Sequence, residues 1–488
     1  MPATRQIGIT GLGSYVPCWR LERQCVVDAM AWHTPGLAAL GQGARSVCNH
    51  DEDALTMAVA ASRAALRRRP PLADDDAVYL CSTTLPYEER LSSAILEAAL
   101  GIEETVQCID ITHTRRAGIL GLLAALDRAA ARPGSTQLVV AADTPPGRPG
   151  SPEELLFGDG AAAVTVGSES VAARFMGAYT LTRDSLDRYR GRGSRFDYAW
   201  EDRFGSHTGY EALIPKVITG LLKQAALGIA DIDSLVFPCP TPRGHAKLGR
   251  KLGCRPEQVA DNLYETFGET GAAHPLLMLT SVLMNAAPGD RVVVCGFGSG
   301  ASALLFEATD HIRALRQTAA VPVRRMAPYT RFLAYRGLLD PDTGIRGEKP
   351  QKTALSVLHR ERETLLGLRG GLCESCGTPQ FPAGPHCVNP SCRQPGPFAP
   401  YDFAHRTAEV KTYTGDYLVP SPAPPHIYGL IQFEGGGRMM AELTDCDLEE
   451  IAVGRKVTMT FRKRYADAER DFVGYFWKAT PTPKKETP

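Results

Sequence analysis

Two distant segments of the chain share one pattern, a Gly-x-Gly turn that runs into a strand. They read FGDGAAAVTVG at 157–167 and FGSGASALLFE at 297–307. A second echo links AVYLCSTTLPYEERLSSAILEAALGI with SLVFPCPTPRGHAKLGRKLGC, each a strand, a Pro-containing loop and a helix that ends at Leu-Gly. Short apolar strands alternate with Ala- and Leu-rich helices from Arg5 to about Asp310, which predicts an α/β fold. The echoes favour a duplicated half-domain; two generic strand–turn pairs are the alternative.

Length, charge and cysteine content limit the class of protein. A chain of 488 residues suggests two or three domains. Lys plus Arg and Asp plus Glu both total 54, and this balance argues against a general nucleic-acid or membrane-surface binder. The N-terminal residues enter a strand-like run without a signal-peptide core, and no apolar run approaches the roughly 20 residues of a membrane span. Because 13 scattered cysteines do not resemble a disulfide framework, we expect a reducing, cytoplasmic setting.

The strongest single motif is CESCGTPQFPAGPHCVNPSC, which follows Gly370. Cys373 and Cys376 form a C-x-x-C knuckle, and Cys387 and Cys392 form a looser second pair. Four thiolates in this pattern match a closed tetrahedral zinc site that folds a small ribbon. Such a site leaves no open position for water, so its predicted role is structural. Two disulfides or a redox pair, the alternatives, do not suit a cytosolic chain.

Five strand candidates follow this motif: RTAEVKTYTG, HIYGLIQFE, GRMMAELTD, RKVTMTFRKR and FVGYFWKA. Five short antiparallel strands that close on themselves predict an OB-type barrel. Such barrels often bind nucleic acids through basic grooves and aromatic platforms. The candidates for such a surface here are Arg462, Lys463, Arg464, Tyr465, Tyr475, Phe476 and Trp477. Alternate aromatic residues in such strands are more often barrel core, and we expect no nucleic-acid binding.

Several motifs together indicate a family. The run Cys373–Cys392, followed by FEGGGRMMAELTDCDLEEIAVGRKVTMTF, resembles the zinc-ribbon and OB-fold module that accompanies thiolase-type enzymes and is associated with acyl-CoA. The N-terminal region resembles the hydroxymethylglutaryl-CoA synthase and ketoacyl synthase III branch of the thiolase superfamily. The matching stretches are GITGLGSYVP, STTLPY, ADTPPGRPGSPEELLFGDGAAAVTVG, LYETFGETGAAHP and PGDRVVVCGFGSGASA.

The resemblance implies a duplicated five-layer α/β/α/β/α sandwich, followed by a rubredoxin-like zinc ribbon and an OB barrel. Family members are usually dimers, so a homodimer is expected, and a carrier protein or a biosynthetic partner enzyme is a possible partner. The expected divisions are a thiolase-like N-terminal half at 1–170, its C-terminal half at 171–312, a connecting segment at 313–369, the ribbon at 370–398 and the barrel at 399–488.

The chain departs from the family where the chemistry is expected. The family's nucleophilic cysteine lies at the N-terminus of a buried central helix; its position falls on Arg115, or on Arg116 if one residue is skipped. The resemblance places Pro238 at the histidine position, Glu269 at the asparagine position and Thr83 at the acidic position. All four are replaced together, which argues against an enzyme that relies on an acyl-cysteine.

Arg115 raises a further question, because a cation is mildly unfavourable at a helix N-terminus. The aligned fold would bring Arg115 and Glu269 to the floor of one pocket, where the carboxylate, or a substrate carboxylate or enolate, would hold the guanidinium. In catalysis, Glu269 would act as general base or acid and Arg115 would stabilise negative charge. The backbone N–H groups of Gly298 and Ser299 would remain for an oxyanion. A salt bridge that plugs a retired pocket is the alternative.

Other candidates carry weaker signals. Cys239 is a possible relocated nucleophile, although free cysteines are more often buried hydrophobes. At most one of His113, His207 and His274 is expected to line the cavity and move protons, because a lone histidine is more often hydrogen-bonded structure. By family analogy, Arg243 and Lys247 suit CoA phosphates, although such residues are commonly solvated surface.

The sequence therefore predicts an enzyme that forms or cleaves a carbon–carbon bond, or transfers an acyl group, on a CoA or carrier-protein thioester. Relatives that pair a cysteine-less thiolase fold with this OB module as aldolases provide the analogy. The alternative is a non-catalytic acyl-CoA-binding scaffold or pseudoenzyme that serves another enzyme of the family.

Overall fold

The structure is a computed structural model. It describes residues 6–67, 69–185, 188–199, 209–239, 242–315, 322–342, 344 and 353–483, without the side chains of residues 242 and 243. The chain forms two compact units. The first, here called the sandwich unit, comprises Met1–Cys48, Asp53–Ala94 and Glu103–Phe332; the second, the ribbon–barrel unit, comprises Asn49–Glu52, Ile95–Ile102 and Leu333–Pro488.

Strands and helices alternate through the sandwich unit, as the apolar pattern predicts. Its strands are β1 (Gly8–Tyr15), β2 (Trp19–Glu22), β3 (Ala44–Val47), β4 (Ala77–Cys81), β5 (Gln107–Ile111), β6 (Gln137–Asp143), β7 (Gly160–Gly167), β8 (Ala173–Thr182), β9 (Arg188–Tyr189), β10 (Tyr198–Ala199), β11 (Ser234–Val236), β12 (Arg291–Phe297), β13 (Gly300–Ala308) and β14 (Arg324–Arg325). Its helices are α1 (Arg23–Met30), α2 (Ala54–Leu66), α4 (Ala117–Ala131), α5 (Pro152–Leu156), α6 (Glu211–Gln224), α7 (Pro242–Lys251) and α8 (His274–Asn285). Helices α3 (Ser92–Leu100) and α9 (Tyr329–Tyr335) contribute residues to both units.

The main sheet of the sandwich unit shows the duplication directly. Its strand order is β11-β12-β13-β8-β1-β7-β6-β4-β5. In one half, β4 pairs parallel with β6, β6 antiparallel with β7, and β7 antiparallel with β1. In the other half, β11, β12, β13 and β8 repeat the same sequence of pairings. The two echoed segments fall on β7 and β13 and on β4 and β11, so the predicted duplicated fold is confirmed.

Helices α4 and α8 form the middle layer of this unit. Both contact β7 and β12, so they lie between the two halves of the sheet. Helix α2 covers β1, β6 and β7, and α6 covers β8 and β13, which completes five layers. The first ten residues of α4, AGILGLLAAL, are apolar on all sides, as a helix buried between two sheets requires. At Gly121 a Cβ atom would clash with Cys81 Sγ, so this close approach needs glycine.

The described residues of the ribbon–barrel unit form two sheets. The ribbon consists of β15 (Arg369–Leu372), β16 (Pro379–Gln380) and β17 (Ala399–Asp402); the barrel consists of β18 (Thr407–Asp416), β19 (His426–Phe433), β20 (Arg438–Glu442), β21 (Lys456–Asp467) and β22 (Phe472–Pro481). Helices α10 (Leu355–Arg360) and α11 (Arg362–Leu366) precede them. The barrel order is β20-β19-β18-β21-β22, and a bridge between Leu443 and Ala479 joins its ends. The predicted OB barrel is confirmed.

Aromatic side chains fill the interior of the barrel. Phe461 stacks on Tyr475 with ring centroids 5.4 Å apart, and Trp477 packs edge-on against the same Phe461 ring. All three rings are buried. Of the residues weighed as a nucleic-acid surface, Tyr475 and Trp477 therefore belong to the core, as expected for alternate positions in a barrel strand.

A network of charged side chains is buried in the ribbon–barrel unit. Arg462 forms ion pairs with Glu52 and with Asp445, whose Oδ2 lies 2.5 Å from Arg462 Nη2. Lys478 Nζ lies 3.1 Å from Asp51 Oδ2 and 2.8 Å from a Glu442 oxygen. We call these six residues the barrel ion network. Because Arg462 is enclosed in this network, its charge does not contribute to a basic groove on the surface.

In the part of the chain that the structure describes, every helix is too short or too polar to cross a membrane.

Candidate active site

Two arginines stand where the central helix α4 begins, and they have different surroundings. Arg116 is buried, and its guanidinium donates to the carbonyl oxygens of Leu181 at 3.0 Å and Ser299 at 3.3 Å. Its backbone N–H donates to Thr114 Oγ1 at 3.2 Å. Arg116 is therefore a packing residue that joins the helix start to the neighbouring strand ends, whereas Arg115 faces carboxylates.

Arg115 is paired with two carboxylates. Its Nη1 donates to Glu269 Oε2 at 2.7 Å, and its Nη2 donates to Asp197 Oδ2 at 3.1 Å. The guanidinium also lies over the ring of Phe157, 4.6 Å from its centroid. Burial lowers the pKa of Arg115, but the charges of Glu269 and Asp197 outweigh this effect and raise it above its ordinary value. These anions offset the unfavourable position of a cation at a helix N-terminus.

Backbone contacts fix the position of Glu269. Its N–H donates to Leu156 O at 2.8 Å, and its carbonyl accepts from Gly158 N at 2.9 Å. The second carboxylate oxygen, Oε1, accepts from Gly271 N at 2.9 Å. The side chains of Arg115 and Glu269 are 25% and 11% exposed, so a ligand can reach this pair. A fixed, nearly buried base beside a partly exposed cation suits the chemistry of an active site.

Asp197 belongs to a short hairpin formed by β9 and β10. Its Oδ1 accepts from Arg190 Nη1 at 2.8 Å, while Arg188 Nη1 lies 3.9 Å from its Oδ2. Arg188 also donates to Glu153 Oε1 at 3.3 Å, and its guanidinium lies over the Phe157 ring, 5.0 Å from the centroid. The hairpin thus adds two guanidinium groups and one carboxylate to the site.

Asp143, at the end of β6, is a second anchor of the site. Its carboxylate accepts from Thr83 N at 2.7 Å, from Thr84 Oγ1 at 2.8 Å and from Ala272 N at 2.7 Å. Burial raises the pKa of Asp143, and these hydrogen bonds oppose the increase. Since Ala272 N and Gly271 N bind the carboxylates of Asp143 and Glu269 respectively, the same short turn holds both groups. Thr83, which the resemblance places at the family's acidic position, donates to Asp143 and so supports it.

The three histidine candidates have different surroundings. His274 is buried; its Nε2 lies 2.9 Å from Asn262 O, and its Nδ1 lies 3.2 Å from Thr270 Oγ1. Burial lowers its pKa, so its ring is a neutral brace for the turn that follows Glu269. His113 is exposed and has a positive φ of 69°. His207 lies outside the described residues.

None of the remaining candidates is seen to form a hydrogen bond or ion pair with this ion cluster among the described residues. Cys239 is buried in an apolar cluster that contains Tyr210 and Phe237. Lys247 is exposed and pairs with Glu211 at 3.1 Å, and the side chain of Arg243 lies outside the described part. The N–H of Gly298 donates to Gly300 O at 3.0 Å, so it is already used within the turn.

The sequence analysis missed Asp143, Asp197, Arg188 and Arg190. Asp143 carried a signal, because a lone carboxylate at the end of the apolar run QLVVAAD is costly to bury without donors. The other three lie in the charged run DRYRGRGSRFD, which has no periodic pattern. Only tertiary contacts distinguish them from solvated surface charges.

The four cysteines of the ribbon converge. The Sγ atoms of Cys373, Cys376, Cys387 and Cys392 all lie within 4.8 Å of one another. The Sγ atoms of Cys373 and Cys392 are 3.8 Å apart, and those of Cys376 and Cys387 are 3.6 Å apart. Tetrahedral zinc with Zn–S bonds of about 2.3 Å requires separations of about 3.8 Å. The cluster could therefore bind a metal ion, and its geometry fits Zn²⁺.

Comparisons with known proteins agree with this architecture. Residues 222–307 match the model for the C-terminal part of 3-oxoacyl-[acyl-carrier-protein] synthase III, and residues 402–462 match that for the C-terminal OB-fold domain of ChsH2. A hydroxymethylglutaryl-CoA synthase of Aeropyrum pernix is 33% identical to this chain; the alignment covers 60% of this chain and 82% of the length of that enzyme. A similar enzyme of Pyrobaculum neutrophilum is 33% identical over 65% of this chain and 91% of its own.

A crystal structure of HMG-CoA synthase complexed with CoA matches 72% of this chain and 95% of its own, with a TM-score of 0.60 and 17% identity. The fold and the homology define an enzyme of the thiolase-fold condensing or acyl-transferring kind. More narrowly, the chain belongs to the hydroxymethylglutaryl-CoA synthase family.

Proposed function

We propose that the chain acts on an acyl thioester of CoA or a carrier protein without an acyl-cysteine intermediate. It forms or cleaves a carbon–carbon bond of the Claisen or aldol type, or transfers an acyl group. The observation that carries this proposal is the 2.7 Å contact between Arg115 and Glu269 where α4 begins. The resemblance places the family's nucleophilic cysteine at this position, and a base with a cation replaces it here.

In an aldol-type reaction, Glu269 takes a proton from the carbon next to the thioester carbonyl. The electron pair passes to the carbonyl oxygen, and Arg115 stabilises the resulting enolate charge. The enolate carbon then attacks a second carbonyl, and the alkoxide that forms receives the proton from Glu269. In cleavage the same steps run backwards, beginning with removal of the hydroxyl proton by Glu269.

The cysteines buried in the sandwich unit support a route without a thiolate. Burial raises the pKa of the Cys81 and Cys295 thiols, which disfavours the thiolate that attacks an acyl group. Cys239 lies among apolar side chains, where a small buried thiol is ordinary core. The carboxylate–guanidinium pair is therefore the better candidate for the reacting groups.

Intact-protein mass spectrometry after incubation with a panel of acyl-CoAs tests this route. We expect product formation with no stable acyl adduct, and loss of product formation in Glu269→Gln and Arg115→Ala with folding intact. A stable adduct on any cysteine would overturn the mechanism.

A non-catalytic acyl-thioester binder is the second candidate, because one observation favours it. Both Nη atoms of Arg115 are occupied by Glu269 and Asp197, as in a salt bridge that closes a retired pocket. In that case Glu269→Gln and Arg115→Ala alter thioester binding but leave unchanged the product output of the pathway in which the protein serves its partner enzyme. Measuring both quantities on the same variants separates an enzyme from a scaffold.

We propose further that the four-cysteine cluster holds a structural Zn²⁺. Four thiolates leave no open coordination position, so this ion would stabilise the ribbon and take no part in the reaction. Elemental analysis of the purified protein should find stoichiometric zinc, and Cys376→Ser should lose it. The cytoplasmic location, the homodimer and the bounds of the five predicted divisions stay predictions.

A further inference from the structure

The carboxylate of Asp197 lies among three guanidinium groups. Arg190 Nη1 is 2.8 Å from Oδ1, Arg115 Nη2 is 3.1 Å from Oδ2, and Arg188 Nη1 is 3.9 Å from Oδ2. Guanidinium groups that converge on one point form the arrangement that proteins use to bind a carboxylate. Here a side chain of the protein itself occupies this position.

Arg188 has donor capacity that Asp197 does not use. Its Nη1 is buried and has no hydrogen-bond partner among the described residues, since 3.9 Å is too long for a hydrogen bond. Leaving a buried charged donor unpaired is costly. A carboxylate placed slightly closer to Arg188 than that of Asp197 would satisfy this donor and keep the contact with Arg190.

There is space for a small group beside Asp197. Asp197 and Glu153, together with Arg148 and Ala199, line a cavity of about 260 Å³. Arg188 and Arg190 do not line it, so the cavity reaches them only when Asp197 is displaced. Pockets for drug-sized ligands usually measure about 300–1,000 Å³, so this space suits a short acyl segment rather than a whole CoA.

The balance of charge indicates replacement rather than addition. The cations Arg115, Arg188 and Arg190 face the anions Glu269, Asp197 and Glu153. A further carboxylate would leave this partly buried cluster with excess negative charge, whereas exchange for Asp197 preserves the balance. The strands β9 and β10 are two residues long each, so few ladder hydrogen bonds hold Asp197 in place.

We propose that Arg188 and Arg190 form a subsite for a carboxylate on the acyl chain of the substrate, and that Asp197 occupies this subsite until the substrate displaces it. The proposal rests on the proposed function for the thioester part of the ligand. Displacement of Asp197 also frees Arg115 Nη2 for the enolate charge. A neutral acyl chain would leave Arg115 closed, so the subsite couples substrate choice to activation of the site.

Binding of succinyl-CoA and butyryl-CoA tests the subsite, because the two differ in a terminal carboxylate. By isothermal titration calorimetry without turnover, we expect succinyl-CoA to bind at least about tenfold more tightly, as one charged hydrogen-bonded contact provides. Arg190→Gln should reduce the ratio to below about twofold, and Asp197→Asn should tighten succinyl-CoA binding about tenfold. Equal affinities in the native protein, or a ratio that Arg190→Gln leaves unchanged, would overturn the proposal.

A second measurement tests the subsite without any thioester. In Asp197→Asn, added sodium formate should raise the melting temperature more than in the native protein, because the anion replaces the lost carboxylate. Asp75→Asn, which removes one charge from an exposed pair with Arg132, is the matched control and should show no such effect. If Asp197→Asn behaves like Asp75→Asn, the subsite is wrong. A native protein that prefers succinyl-CoA but turns over no thioester would instead refute the proposed function and leave the subsite intact.

Discussion

Two groups of arginines and carboxylates differ in how fully they are enclosed. In the barrel ion network, the side chains of Arg462 and Glu52 are 2% and 1% exposed, and Lys478 is also buried. In the sandwich unit, the side chain of Arg115 is 25% exposed, and its neighbour Arg188 retains a buried donor without a hydrogen bond among the described residues. The Arg462–Glu52 pair at the centre of the first group is closed to ligands, whereas Arg115 in the second group remains accessible. Enclosure, rather than the number of ion pairs, separates a structural cluster from a candidate site.

The largest effect is expected for Glu269→Gln. It should lower the rate of thioester turnover by about 10²–10⁴-fold, because the proton acceptor is lost while the shape is kept. The unfolding free energy should fall by at most about 2 kcal/mol, because Glu269 is buried but Arg115 keeps its contact with Asp197. Steady-state kinetics and chemical denaturation measure the two quantities. Glu257→Gln, an exposed control, should alter neither; an equal loss of rate in the control would remove Glu269 from the proposed site.

For Arg462→Ala we expect a large loss of stability and little change in the rate of thioester turnover. It leaves Glu52 and Asp445 buried without their cation, and breaking such a pair costs about 3–5 kcal/mol. Hydrogen exchange of the β21 and β22 amides should become faster, while the amides of the sandwich core keep their protection. Arg464→Ala, an exposed position on the same strand, is the control. Similar exchange in both variants would show that the barrel ion network does not stabilise the unit.

The stability of the ribbon–barrel unit should fall on acidification. Burial is the main cause that lowers the pKa of His50 from 6.5 to about 4; the charge of Asp51 opposes this decrease, and those of Lys478 and Lys463 add to it. The unfolded chain therefore binds more protons than the folded chain between these values, and folding loses up to about 3 kcal/mol as the pH falls from 6.5 to 4. This stability is fully present above pH 6.5. Denaturation followed by exchange of the barrel amides at pH 7.5 and 4.5 measures the loss.

His50→Gln should flatten this dependence on pH, whereas His359→Gln, at an exposed position, should retain it. A dependence that is unchanged in His50→Gln would assign the acid sensitivity to other groups.

The smallest effect on stability is expected for an ion pair that is largely exposed to solvent. Arg132 and Asp75 lie 2.6 Å apart, but their side chains are 52% and 71% exposed. Screening and side-chain entropy leave such pairs worth about 0–1 kcal/mol, so Arg132→Ala should change the unfolding free energy by less than about 0.5 kcal/mol. Thermal denaturation at low and high salt checks this. A cost comparable to that of Arg462→Ala would contradict the link between enclosure and energy.

Much of the fold could be predicted from the sequence because its signals are local. Strand periodicity in VTMTF and GLIQF, the turn at Gly435–Gly437 and the cysteine spacing each depend on neighbouring residues only. The meeting of Arg115 and Glu269 was predicted only because the family resemblance supplied the three-dimensional alignment. Asp197 could not be found in this way, since its partners Arg115 and Arg190 are identified by contact and not by spacing.

By itself, the sequence determined the alternation of strands and helices, the duplication and the ribbon cysteines. Tertiary structure alone decided which charges matter. Arg462, Arg115 and Arg132 are the same residue type, yet one is sealed in a network, one lies in an accessible cluster and one is solvated. The energy of a charge depends on the dielectric and on the partners around it, and both are set by residues distant in sequence.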